Sequence, residues 1–220
     1  MKSMEEKNFE NGRKVTIDML KANIFAMVLM LVSGIVLLVP YILIWRDLWT
    51  KNSIHQLFDT LPLYCGLFFV LMIVGIVVHE LIHGITWACF APSGWKSISF
   101  GIMWKMLTPY CHCNEPMRPR PYIIGALMPL IVLGIIPAII CLISGSLFLL
   151  VWSTIFISAA GGDIWIVLLL MKERHDCTVL DHPSEAGFYV FDYKIPPIFS
   201  EKTFFSYLCL CFIRKYCNGN

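Results

Sequence analysis

Residues 75–86 read GIVVHELIHGIT, and within them His79, Glu80 and His83 crowd three ionisable side chains into five positions. The stretch leading up to them, residues 61–78, carries no charge at all. An apolar run of that length is a candidate for a helix crossing a bilayer, which takes roughly 20 apolar residues. Ionisable groups inside such a helix are costly, and they mark a paired charge, a water-filled cavity or a bound ion. The reading of this one stretch therefore decides between a soluble core helix and a membrane span with a wet end.

Composition favours the span. The chain has 220 residues, 58 % of them hydrophobic and only 15 % charged, where a soluble domain carries about a quarter charged residues. Four segments are long and apolar enough to cross: 24–45, 61–90, 122–143 and 147–171. The tripeptide Ser144-Gly145-Ser146 makes a very tight connection between the last two. The expected fold is an all-α membrane protein with four transmembrane helices. Between spans two and three, the partly alternating "WKSISFGIMW" and the following "TPYCHCNEPMRPRP" predict a small irregular or β-hairpin loop at the membrane surface. Pro40 is expected to bend the first span, and Pro129 and Pro137 the third. Each proline in the third span leaves a backbone carbonyl that must find a partner inside the protein.

The basic residues give an orientation. Five lie in the N-terminal arm (Lys2, Lys7, Arg13, Lys14, Lys21), four follow span two (Lys96, Lys105, Arg118, Arg120) and six follow span four. Only Arg46 and Lys51 follow span one, and none follows span three. With four spans the basic segments all fall on one side, the cytoplasmic side by the positive-inside tendency. The expected organisation is a cytoplasmic arm over 1–21, a four-span membrane domain over 22–171 and a cytoplasmic segment over 172–220, whose residues 203–213 are apolar enough to lie in the interface. Trp45, Trp49, Trp87, Trp95, Trp104 and Trp152 sit near span ends or in surface loops, where they are expected as membrane anchors. A net charge of +2 is too small to suggest a nucleic-acid partner, and the apolar composition makes the lipid bilayer the expected one. Nine cysteines, an odd number with several in apolar runs, do not describe a disulfide scaffold.

His79, Glu80 and His83 form the H-E-x-x-H pattern. On a helix the two histidines lie four residues apart on one face and can share a Zn²⁺ ion, with the glutamate as general base for water. A zinc hydrolase commonly takes three protein ligands and leaves a fourth position open. Asp163, the only charge in span four, is the leading candidate for the third; Gly161 and Gly162 before it permit close approach of another backbone. His112, flanked by Cys111 and Cys113, is the competing candidate. His175, Asp176, Asp181 and His182 lie beyond the last span, as outer-shell groups or ordinary loop residues. Against a hydrolase stand two alternatives: a metal-binding membrane protein without catalysis, and a small transporter or scaffold.

The ordered series "HELIHG", "SISFG", "TPYCHC", "ALMP", "GIIP", "GGD" and "LDHPSEAGFYV" resembles a bacterial family of zincin peptidases, formerly catalogued as a domain of unknown function and related to the site-2 protease superfamily. The resemblance covers residues 65–190. It implies a zinc-dependent membrane metalloendopeptidase of the bacterial cytoplasmic (inner) membrane, with both termini cytoplasmic, cutting a membrane-protein or peptide substrate in or beside the bilayer. Carried over residue by residue, His79, His83 and Asp163 are implied as zinc ligands and Glu80 as the base. The chain departs from site-2 proteases at Gly161-Gly162-Asp163-Ile164, where those enzymes present their aspartate in an Asn-Pro and Asp-Gly context. A PDZ-like substrate-selecting domain is likewise not expected within these 220 residues.

Overall fold

A computed structural model describes residues 12–49, 51–103, 108–174, 176–182 and 186–191. Four helical stretches in it are long and apolar enough to cross a membrane: Met19–Ile44, Gly66–Phe90, Pro119–Ser144 and Leu147–Leu170. The first is helix α1 (Met19–Ile44), started by Asp18, whose carboxylate accepts from the backbone N–H groups of Leu20 and Lys21 at 3.1 and 3.3 Å. The second lies within α2 (Lys51–Phe90). The third is made of α3 (Pro119–Pro129), a π-helical turn (Leu130–Ile135) and α4 (Ile136–Ser144). The fourth is α5 (Leu147–Ala159) followed by α6 (Gly161–Leu170). Large apolar side chains such as Ile35, Val36 and Leu43 on α1 stand exposed. In water they would form an interaction-prone patch; in a multi-pass membrane protein lipid covers them.

The chain divides into two compact units. The first comprises Asp18–Leu81 and Leu127–Trp165, and its elements among the described residues are all helices. Its buried centre is Leu37, Tyr41, Ala138, Cys141 and Leu150. Lipid offers no hydrophobic drive to helix association, so close approach and hydrogen bonding have to supply it. Both are present. The Tyr41 hydroxyl donates to the Gly145 carbonyl at 2.8 Å, the Trp45 indole N–H to Leu142 O at 3.1 Å, and the Ser158 hydroxyl to Ala26 O at 2.8 Å. Gly161 meets the Ala26 backbone so closely that a methyl group there would lie 3.0 Å from Ala26 Cα. Gly162, by contrast, faces open space. The tight turn after α4 works because Gly145 takes a left-handed φ of 70° and returns its N–H to Cys141 O, while Ser146 caps α5 through Leu149 N–H.

The second unit, among the described residues, holds the end of α2, α3 as far as Ala126, the end of α6 and all five strands. Strands β2 (Ile98–Met103) and β3 (Thr108–Cys113) pair antiparallel, with Ile98 opposite Cys113 and Met103 opposite Thr108. This is the hairpin expected between spans two and three. A three-stranded antiparallel sheet has the order β1 (Arg13–Thr16), β5 (Gly187–Phe191), β4 (Thr178–Asp181). The sequence reading left this sheet out. It joins the residue segments before span one and after span four, and such pairing requires both on one side of the membrane, as an even number of spans provides. β5 buries Phe188 and Val190 and leaves Tyr189 and Phe191 partly exposed, the period of a half-buried strand. The sheet is tied to the chain leading into α3 by a bridge in which Met117 and Val179 exchange N–H···O bonds of 2.9 and 2.8 Å. His175 and residues 203–213, both singled out in the sequence, lie outside the described residues.

Candidate metal centre

Helix α2 runs unbroken through residues 75–90, and its buried positions include Gly75, His79, His83, Thr86 and Trp87. Those spacings of four, four, three and one trace a single helix face. The face puts His79 and His83 one turn apart with their rings on the same side, at 7 % and 4 % exposure. Glu80 lies one position round from that face and is half-buried.

The two imidazoles are held by different partners. His79 Nε2 lies 3.2 Å from Oδ2 of Asp163, and its ring stacks over Phe156 with centroids 6.5 Å apart. Asp163 sits in the first turn of α6, where the helix dipole favours negative charge. Gly75, one turn earlier on α2, makes room for Phe156: a methyl group there would lie 2.4 Å from Phe156 Cζ.

His83 Nδ1 lies 2.9 Å from the carbonyl oxygen of Gly125. A carbonyl only accepts, so Nδ1 carries the proton and Nε2 keeps its lone pair for a metal. The Gly125 carbonyl is available for a local reason. In a regular helix it would receive the N–H four residues on, and that residue is Pro129, which has none. The backbone beyond the proline opens into the π-helical turn, where Ile136 N–H reaches Ile131 O. The carbonyl released by a proline, expected from the sequence to need an internal partner, has found a histidine of the H-E-x-x-H turn.

Aromatic stacking continues from His83. Its ring lies 5.1 Å from that of Trp87 at 15°, and Trp87 lies 5.4 Å from Tyr122 at 24°. The Trp87 indole donates to Tyr122 O at 3.2 Å. Trp87 was expected as a membrane anchor but is only 5 % exposed, because it fills the space that the missing side chain of Gly125 leaves; a methyl group there would come within 2.0 Å of its Nε1. Trp95, at 52 % exposure, has the surface placing expected of an anchor.

His79, His83 and Asp163 each offer one ligand atom, and the three atoms all lie within 4.8 Å of one another. Two imidazoles and one carboxylate are a donor set suited to zinc. Donors around a tetrahedral zinc at about 2.0–2.2 Å stand roughly 3.4 Å apart, and the His79–Asp163 pair at 3.2 Å already has that spacing. The residues fit the ion.

The competing candidates are placed elsewhere. His112 stacks on Tyr110 and contacts Asn114 Oδ1 at 2.7 Å through Nε2. Cys113 is buried with its thiol against Glu115 O, and burial pushes that thiol up to about 12, far from a thiolate. The side chain of Cys111 lies against Gly84, a methyl at which would come within 3.2 Å of its sulfur. Asp176 pairs with Arg174, and His182 stacks on Tyr189. Asp181 is engaged in the second unit: its carboxylate accepts from Cys113 N–H at 2.9 Å and from the Tyr122 hydroxyl. Burial raises its carboxyl above the ordinary range, and those two donors oppose the rise.

Four apolar spans and a His-His-Asp cluster define a multi-pass membrane protein with a candidate zinc centre, and make the chain a candidate zinc metalloenzyme. Residues 72–178 match the protein family described as "Putative zincin peptidase". The matched segment takes in both histidines, the hairpin, the third span and Asp163. No curated protein and no solved structure matches the chain.

Proposed function

We propose that this protein is a membrane zinc endopeptidase that hydrolyses a peptide bond within or beside a membrane segment. The observation that carries the reading is the meeting of His79, His83 and Asp163 on two apolar spans, with Glu80 next to the first ligand. A zinc ion held by the three would bring the pKa of a water to near neutral and polarise a peptide carbonyl. The chain's own residues do the rest. The Gly125 carbonyl fixes the proton of His83 on Nδ1, and Asp163 offsets positive charge at the site. Glu80 takes a proton from the water as its oxygen bonds to the carbonyl carbon, and passes it to the amine nitrogen as the C–N bond breaks. The substrate is a membrane protein or peptide with an extended stretch, since a helical peptide bond is shielded by its own hydrogen bonds.

The proposed setting is the cytoplasmic membrane of a bacterium, with the motif near the cytoplasmic end of span two. Residues 22–171 serve as the membrane domain, and 1–21 and 172–220 as cytoplasmic segments. The pairing of β1 with β5 supports the same-side placement of the two segments, and the basic loops support the assignment of that side.

A cleavage assay in proteoliposomes on a panel of membrane-segment substrates tests the reading. Wild type is expected to cleave at least one, and Glu80→Gln to retain zinc while losing roughly 10²–10⁴-fold in rate, the usual contribution of a general base. Undiminished cleavage by Glu80→Gln removes the proposed role of Glu80. Zinc retention without cleavage in the wild type favours the metal-binding protein without catalysis.

A further inference from the structure

The tail motif "LDHPSEAGFYV", residues 180–190, has no part in the chemistry above, yet one of its side chains is built into the same unit as His83. We infer that Asp181 is a positioning residue for His83, acting through the Tyr122–Trp87 stack to hold the imidazole in the orientation and tautomer that present Nε2 to a metal. The inference rests on the reading of His83 as a ligand, and it concerns how that ligand is held.

The contacts form an unbroken series. One carboxylate oxygen of Asp181 accepts from Cys113 N–H, the last residue of β3, at 2.9 Å, and the other from the Tyr122 hydroxyl. Tyr122 is 2 % exposed, and a buried phenol needs a partner for its O–H. A carboxylate is the strongest acceptor available for it. With its hydroxyl tethered, the Tyr122 ring is wedged between Phe188 of β5 and Trp87, at centroid distances of 6.2 and 5.4 Å. The Tyr122 carbonyl receives the Trp87 indole N–H, so ring and backbone of the same residue grip the tryptophan. Trp87 then lies face to face with His83 at 5.1 Å. The imidazole is thus held at two places, its Nδ1 on Gly125 O and one face on Trp87.

A half-buried carboxylate with both oxygens turned inward would be an expensive choice for packing alone. Asp181 is placed where three separate segments meet: the end of the hairpin through Cys113, the third span through Tyr122, and its own strand β4, whose Val179 bridges to Met117. Outer-shell partners of this kind set ligand orientation, and their loss typically weakens metal binding about 10–100-fold.

The test uses full-length protein in nanodiscs, labelled with ¹⁵N-histidine and studied at pH 8 before and after addition of zinc. His83 is assigned by the signals missing from His83→Ala. In wild type without zinc a single Nδ1–H tautomer is expected. Asp181→Ala and Tyr122→Phe are expected to show an averaged ring and a zinc dissociation constant raised about tenfold, with the double variant no weaker than either single one by more than about twofold. Asp181→Asn keeps an acceptor for Cys113 N–H and a hydrogen-bonding group for Tyr122, and is expected to restore the fixed tautomer. Asp176→Ala, in the same tail, is expected to leave the spectrum unchanged. Wild-type His83 signals in Asp181→Ala overturn the inference, as does an equal loss in Asp176→Ala. Should Asp181→Ala fail to fold, Tyr122→Phe decides, because it removes a single hydroxyl: an unaltered His83 signal there overturns the inference. A wild-type protein that shows the fixed tautomer but cleaves no membrane segment fails the hydrolase reading alone.

Discussion

His79 and His83 are one turn apart on one helix face, yet they are held by opposite means. His79 faces a carboxylate, Asp163, which is itself a candidate ligand. His83 faces a neutral backbone carbonyl, and behind it a stack of two aromatic rings. The first arrangement supplies charge, the second supplies geometry. The difference predicts that substitutions beside His79 change how strongly a cation is attracted, whereas those around His83 change how well one ligand is aimed. Asp163→Ala gives the largest expected effect, because it removes a ligand and the negative charge together. Zinc affinity measured by competition with a chromophoric chelator is expected to fall by more than the roughly 10–100-fold typical of outer-shell losses. An Asp163→Ala protein that binds zinc as wild type does would break the comparison at its charged half.

The geometric half is most exposed at Gly125. A methyl group there would lie 2.0 Å from Trp87 Nε1 and 2.1 Å from Cδ1, so Gly125→Ala forces the indole out of the stack. Overpacking of this kind costs about 1–3 kcal/mol, readable as a lower melting temperature in detergent, with loss of the stacked-tryptophan signal in near-ultraviolet circular dichroism. Pro129→Ala is the finer probe. It returns an N–H that competes with His83 for the Gly125 carbonyl, and is expected to weaken zinc binding about tenfold, at the low end of outer-shell effects, while the stack persists. Equal zinc affinity in Pro129→Ala would show that the carbonyl does not depend on the proline for its freedom.

These sites also mark where sequence reading stops. The spans were legible because lipid imposes a long uninterrupted apolar run, and His79 and His83 because a helix turns a spacing of four into a shared face. Asp163 stood out as a lone charge in an apolar span. Pro129 announced a released carbonyl, but not whose donor would take it, since that depends on which helix lies alongside. Trp87 read as an anchor, because an indole near a span end has the same sequence signature whether it faces headgroups or a glycine. The β1–β5–β4 sheet was the hardest to foresee. Its four- and five-residue strands come from segments more than 160 positions apart, as Arg13 opposite Val190 illustrates, and no local periodicity connects them. Asp181 inherited that obscurity, being one polar residue in a tail rich in them.

The smallest effect tests whether geometry at the site is separate from the packing that holds the spans together. Tyr41 is 2 % exposed and donates to the Gly145 carbonyl at 2.8 Å, closing the turn after α4 against α1. Tyr41→Phe leaves the ring in place and removes one interhelical hydrogen bond. In water such a bond contributes about 1 kcal/mol, but between membrane helices the average is nearer 0.6 kcal/mol, because the separated helices also find partners. Unfolding in mixed micelles is therefore expected to register a loss of roughly 0.6 kcal/mol, with zinc affinity and the His83 tautomer unchanged. A zinc affinity that fell in Tyr41→Phe as far as in Pro129→Ala would mean that the ligands answer to helix packing at large, and that the carbonyl and stack around His83 have no privileged hold on it.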